Sequence, residues 1–447
     1  MPGSVQRCAT VSSSESRARR SPSSATHRVS PVHLSGVSTR ESTGVAAQPR
    51  LPAATRATYI AFIGCGFAFA SWASRIPQVR DQLHLSSQQL GLVLLTLAAG
   101  SVIALLLAGV IVHTFHSRLT VGVMSVLLGV ALAVVAFGYL WGVVPLVVGL
   151  FVYGFASATW DVAMNVQGAA VERLSGRAIM PRFHAGWSIG TVAGAVVGAA
   201  MIALHVAVTA HLLVVGVVVA VVTPVAVRSF VPDIEPDPDA TFAPSSSGSA
   251  SALRRWLEPR TLLVGLVVLA FAFAEGAGND WISLSLIDGY QLPAVVGTLG
   301  FAVFLAAMTA GRWFSDGILA RYGRVTVVRS QGVLAIAGLL LFVFGQVPLL
   351  AFAGLLLWGV GASLGFPVGM SAAADDPAAA AGRVSVVASI GYCAFLAGPP
   401  LIGYLGEHIT VLRALLAVVV VLALATLITG ALRPLSVDSR PERESVS

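Results

Sequence analysis

The stretch "VPDIEPDPDATFAPSSSGSASALRRWLEPR", Val231 to Arg260, is proline-, serine- and acid-rich and has no apolar period, yet long apolar segments flank it on both sides. That composition reads as a linker rather than a folded element. The chain therefore divides into a membrane-embedded half before it and another after it. The surroundings support this: 56% of the 447 residues are hydrophobic and only 11% are charged, with mean hydropathy +0.85, against roughly a quarter charged in ordinary soluble domains.

Working outward, a membrane-spanning helix needs roughly 20 mostly apolar residues. Twelve such segments fit, over 57–77, 88–111, 120–140, 144–168, 186–205, 208–228, 260–284, 294–315, 325–345, 348–371, 384–405 and 411–431. The fold class is an all-α polytopic membrane protein of about twelve helices in two pseudo-symmetric six-helix halves. The expected organisation is a disordered tail (1–55), an N-terminal half (56–228), the linker (229–259), a C-terminal half (260–433) and a second tail (434–447).

Arginine placement gives the orientation, since short cytoplasmic loops are enriched in basic residues. With the N-terminus inside, Arg118, Arg173, Arg177, Arg182, Arg228, Arg254, Arg255, Arg260, Arg321, Arg324, Arg329, Arg383 and Arg433 all fall on the cytoplasmic side. Only Arg75, Arg80 and Arg413 fall near the outer side. A multi-pass protein of the cell's inner (plasma) membrane with both termini cytoplasmic follows.

The net charge of +7 comes mostly from arginines before Ala57, so it argues for no nucleic-acid partner. Three scattered cysteines, Cys8, Cys65 and Cys393, make neither a disulfide framework nor a metal site.

The halves resemble each other. "FAFA" occurs at Phe67–Ala70 and at Phe271–Ala274, a glycine before a polar loop at Gly109 and at Gly311, and "SIG" at Ser188–Gly190 and at Ser389–Gly391. The members of each pair stand 204, 202 and 201 positions apart. Such duplication marks transporters whose substrate site lies between the repeats near the bilayer midplane.

Polar residues within spans are costly and are functional candidates by default. Asp161 and Asn165 share one face of the fourth span at i, i+4. Asp161 either hydrogen-bonds a neighbouring helix or faces a water-filled cavity. Apolar surroundings disfavour its charged form, which suits it to loading and releasing a proton.

In the seventh span, Glu275 and Asn279 share a face, while Asp280 lies toward the outer end, where water can reach it. Trp281 reads as an interfacial anchor or as a stacking platform. Arg75, just before the break at Pro77, either snorkels outward or binds an anionic group or acid. His184, which opens the fifth span at the cytoplasmic side, reads as an ordinary interface residue or as a proton relay. "GVGASLG" at Gly359–Gly365 lies in an apolar span and reads as helix packing rather than a nucleotide loop. Gly398 and Pro399 read as a break in the eleventh span, tolerable beside a cavity.

These features resemble the major facilitator superfamily from about Ala57 to Arg433. Besides the two six-span halves and the long central loop, the loops after the second and eighth spans are similar to that family's cytoplasmic signature of glycine, aspartate and arginine. The second copy keeps Gly311, Asp316, Gly323 and Arg324; the first keeps Gly109 and Arg118 but has His113 where the acid is expected. "DVAMN" and Ile76, Pro77 and Gln78 further resemble fucose-permease-like members, in which the fourth-span acid serves proton-coupled sugar uptake. That role is implied for Asp161. An acid those members carry just before the proline is absent here, where Ala73 and Ser74 stand.

The expectation is a monomeric secondary transporter, not an enzyme, working by alternating access on a small-molecule substrate in the lipid bilayer. It needs no metal or cofactor and takes its energy from a proton gradient. Import of a small polar, sugar-like solute is the first reading and export of drug-like compounds or metabolites the second. A membrane sensor that has kept a transporter body is more remote. Asp161 and Glu275 are the proton-coupling candidates; Arg75, Asn165, Asn279, Asp280 and Trp281 are those for substrate binding.

Overall fold

A computed structural model describes residues 50–177, 179–233, 254–376 and 379–435, so both expected tails and most of the linker lie outside the described residues. The helices are α1 (Arg50–Ala73), α2 (Ile76–Gln82), α3 (Ser87–Trp141), α4 (Val143–Ser175), α5 (Met180–Ala203), α6 (Val208–Ala226), α7 (Pro259–Leu284), α8 (Ala294–Trp313), α9 (Ser315–Phe344), α10 (Pro348–Ala362), α11 (Gly365–Ala373), α12 (Ala380–Ile409), α13 (Val411–Ala414) and α14 (Leu416–Ile428). The first already runs at Arg50, inside the stretch expected as tail.

Among the described residues, eleven helical stretches are long and apolar enough to cross a membrane. The difference from twelve lies in α3, 55 residues long, which as a straight rod would reach about 80 Å. It reverses at His116, whose φ of 60° and ψ of 158° are not helical. A Cβ on Gly154 would lie 2.0 Å from the Leu97 carbonyl oxygen and one on Gly149 2.8 Å from a Val135 methyl. Leu97 and Val135 would be about 57 Å apart along one straight helix, yet both touch α4 within five residues of each other. The second and third expected spans are therefore antiparallel neighbours, joined by a one-residue turn instead of the expected polar loop.

At that turn Asp233 caps the helix that resumes at Ser117. Its carboxylate accepts from the Ser117 backbone N–H at 2.6 Å and from the Ser117 hydroxyl.

The helix starts are written locally. Ser86 and Gln89 form a reciprocal capping box at the head of α3. Pro77 sits in the first turn of α2, where its missing N–H costs nothing; the first span breaks two residues earlier, at Ser74–Arg75. The eleventh span does not break. α12 runs through Gly398, Pro399 and Pro400, against the expected interruption.

Packing repeats between the halves. In the first, α1 lies on α5 and the second segment of α3 on α6; in the second, α7 lies on α12 and α9 on α14. Backbone-to-backbone approach through glycine makes these contacts close. A Cβ on Gly190 would lie 2.2 Å from the Ile63 carbonyl oxygen and one on Gly66 2.3 Å from that of Trp187. The "GVGASLG" stretch behaves as expected of a packing motif: a Cβ on Gly359 would lie 2.6 Å from the Phe304 oxygen. The halves meet where the first segment of α3 lies on α12 and where α5 lies on α8.

The face on which α1 starts and α14 ends also carries the C-terminal half's ion network. Asp375 pairs with Arg260 at 2.8 Å and with Arg324 at 2.5 Å. Glu258, at the end of the linker, pairs with Arg255 and Arg383. Desolvation works against its charged form, but hydrogen bonds from Arg383, Arg255 and Thr261 outweigh it and hold the carboxyl down at about 2.

Candidate functional site: a cavity between the halves

Gly276, Asn279 and Asp280 occupy one face of α7, and Tyr153, Ser157 and Asp161 recur every four residues along α4. These two faces look into one cavity of about 320 Å³, within the range of small-molecule sites. Its other walls come from α1, the first segment of α3, α5 and α12. Phe69 and Trp187 stack at 6.3 Å between ring centroids on one side, and Tyr392 and Phe395 lie 6.2 Å apart on the other.

The two carboxylates thus come from different halves. Asp161 accepts a weak hydrogen bond from Asn165 Nδ2 at 3.4 Å, and the same nitrogen donates to the Asp161 carbonyl at 2.9 Å. Neither Asp161 nor Asp280 forms an ion pair among the described residues.

Several expected site residues lie elsewhere. Glu275 is not in the cavity wall. It sits about 100° round α7 from Gly276, where Arg312 holds it at 2.9 Å while donating to the Ser363 carbonyl at 3.1 Å. Asp280, read both as solvated near the outer end and as a substrate-binding candidate, lines the cavity.

Arg75 neither snorkels nor meets an acid. It is 2% exposed, its Nε donates to His211 Nδ1 at 2.9 Å and its terminal nitrogen to the Val206 carbonyl at 3.2 Å. Trp281 is fully buried and does not line this cavity, so it is neither an interfacial anchor nor a platform for a solute held there. Asn279 does line the cavity, and its Oδ1 is buried without a partner.

Of the signature residues, Gly109 and Arg118 are exposed, and no atom lies within 4 Å of where a Gly109 Cβ would be. In the second copy, a Cβ on Gly311 would lie 2.5 Å from Ser363 Oγ. Gly323, with φ of 74°, makes the turn that separates Arg324 from the preceding helix. The Asp316 side chain lies outside the described residues.

Tyr153, Ser157 and Tyr392 were not singled out from the sequence. The four-residue spacing back from Asp161 was a readable signal for the first two, whereas nothing local marks Tyr392. The tenth span lines none of the cavity, whereas α3 and α12 do.

Hydrogen bonds between the halves occur at the end away from the start of α1 and the end of α14. Arg80 donates to both oxygens of Asp288, one of these contacts at 3.0 Å, and the Gln88 N–H to Glu407 at 3.4 Å. Outside this closure lies an open depression of about 510 Å³, bordered by Arg80 and Glu407 and remote from the two carboxylates.

Exposed pairs contribute up to about 1 kcal/mol, so Arg80→Asp, which faces Asp288 with like charge, should shift the population of this closed end severalfold. Spin labels at His84 and Gln291 should report a longer distance in that variant and a return in the Arg80→Asp/Asp288→Arg double swap. Unchanged distances would show that the pair does not hold the halves together.

The sequence model of the Major Facilitator Superfamily matches residues 58–397. The chain belongs to the Major Facilitator Superfamily. Among its superfamily relatives, an uncharacterized transporter of Sinorhizobium fredii is 30% identical over 363 residues, covering 81% of this chain and 93% of that one. The membrane protein MosC of Rhizobium meliloti is 28% identical over 398 residues, covering 88% and 94%.

Solved superfamily structures share the fold. The nucleoside transporter NupG matches with a TM-score of 0.70 at 13% identity, over 85% of this chain and 98% of that one. The Escherichia coli fucose:proton symporter FucP matches with 0.58 at 14% identity, over 84% and 98%. A bacterial homologue of the lysosomal transporter Spinster, in an inward-facing and unoccupied conformation, matches with 0.70 at 13% identity, over 87% and 98%.

Proposed function

We propose that this superfamily member is a proton-coupled secondary transporter that imports a small polar solute by alternating access. The observation that carries this reading is the cavity between the halves, with one unpaired carboxylate from each. A carboxylate out of water costs least when neutral, so a site that is wet on one side and then on the other can take up a proton and give it back. Asp161, tied only to Asn165, is the proton carrier, and Asp280 and Asn279 meet the solute.

The arginine distribution supports placing both termini in the cytoplasm. The Arg80–Asp288 end then faces outward, and the closure there supports an inward-facing arrangement. FucP, a sugar:proton symporter by name, and the nucleoside transporter NupG share the fold and support a polar solute. Export of a more apolar metabolite is the second reading, favoured by the aromatic rings and leucines that make up much of the wall.

A thermal-shift screen of the purified protein against sugars, nucleosides, amino acids and common drugs at two pH values tests the reading. The expected hit is a small polar solute whose apparent affinity changes with pH and is lost in Asp161→Asn/Asp280→Asn. Hits confined to apolar drugs, or affinities indifferent to pH, would count against it.

A further inference from the structure

The cavity wall has an imbalance of charge and carries unpartnered polar groups. It contains two carboxylates and no arginine or histidine. Arg75 and Arg312, neither of which lines the cavity, are committed elsewhere, Arg75 to His211 and Val206 and Arg312 to Glu275 and Ser363.

Several polar groups of the wall lack partners among the described residues. Asn279 Oδ1 is buried and unpaired, and Asp280 accepts no hydrogen bond among the described residues. Pro399 and Pro400 have no N–H to offer the carbonyls of Phe395 and Leu396 one helical turn back. The Tyr153 hydroxyl, in a residue only 1% exposed, lines the same space without a partner.

A neutral polyol brings as many acceptors as donors and leaves the carboxylates uncompensated. An anion meets like charge with no cation to offset it. A protonated amine or quaternary ammonium supplies the missing positive charge and, in the first case, N–H donors. The stacked Phe69–Trp187 pair and the Tyr392–Phe395 pair offer the aromatic faces to which such cations are drawn.

Resting on the transport reading above, we propose that the solute is a small organic cation, held at Asp280 and Asn279 between the two aromatic pairs. Asp161 is left free for the proton. The Arg75 buried behind the wall takes no part in recognition.

The test uses the full chain with Cys8, Cys65 and Cys393 replaced by serine and one reporter cysteine in the wall, Ala158→Cys. Its modification rate is measured with two methanethiosulfonates of similar size, one carrying a trimethylammonium and the other a sulfonate, each normalised to its rate with a free thiol. The cationic reagent is expected to be favoured roughly tenfold or more, a factor worth about 1.4 kcal/mol. That preference should fall toward one in Asp161→Asn/Asp280→Asn.

Ser101→Cys, on another helix of the same wall, gives an independent reading if the first reporter misfolds. A normalised ratio at or below one, a preference indifferent to both carboxylates, or no modification by either reagent would each overturn the proposal. Proton movement is not part of this measurement. A protein that moves no protons can still show the cationic preference, and a proton-coupled one can lack it.

Discussion

Asp161→Asn should abolish solute accumulation driven by a pH gradient while leaving solute binding measurable. With one proton moved per solute, a gradient of one pH unit supplies about 1.36 kcal/mol and supports about tenfold accumulation. An asparagine carries no proton, so in proteoliposomes the variant should equilibrate its solute to a ratio of one. Glu275→Gln is the matched comparison. Glu275 is already committed to Arg312 at 2.9 Å and lies outside the cavity wall, so its loss should leave the proton:solute ratio unchanged. It should instead lower stability, because an unpaired arginine left in a partly buried site is costly, by up to about 3–5 kcal/mol when fully buried. Wild-type accumulation in Asp161→Asn, or a changed ratio in Glu275→Gln, would exchange the roles assigned to these two acids.

The second large effect concerns packing. A Cβ on Gly154 would lie 2.0 Å from the Leu97 carbonyl oxygen, and one on Gly100 2.1 Å from that of Phe151. The two glycines therefore lock α3 and α4 together reciprocally, with backbone on the opposing side that has no side chain to swing away. Gly154→Ala should cost about 1–3 kcal/mol or more through forced separation of the helices, seen as a lower melting temperature and a smaller folded fraction in detergent. Gly109→Ala provides the contrast, since nothing lies within 4 Å of its Cβ position; relieving a helical glycine there should stabilise by about 0.5–1 kcal/mol. A tolerated Gly154→Ala would show that the helices are free to part.

The span count, the two-half division and the polar face of α4 were legible because each rests on local composition or on a four-residue spacing. The His116 reversal was blurred because no proline or glycine marks it; a histidine carries the non-helical backbone. In α7 the spacing related Glu275 to Asn279 but could not say which side of the helix faced the other half, so the acid closer to the middle of the span was preferred over Asp280. Arg75 shows the limit most clearly. Its partner His211 is 136 residues away, and no spacing rule connects a break in one helix with the start of another. Trp281 looked exposed because tryptophans often mark the interface, yet tertiary packing buried it completely.

The Arg80–Asp288 and Gln88–Glu407 hydrogen bonds that join the halves lie at one end of the molecule. Mobile ions weaken attraction between exposed charges, with a Debye length of about 8 Å at physiological ionic strength, but only the ions on that side of the bilayer reach Arg80 and Asp288. The lifetime of the closed end is therefore sensitive to salt in one bath and indifferent to it in the other, so the two aqueous compartments act unequally on the transport cycle even when their compositions are the same.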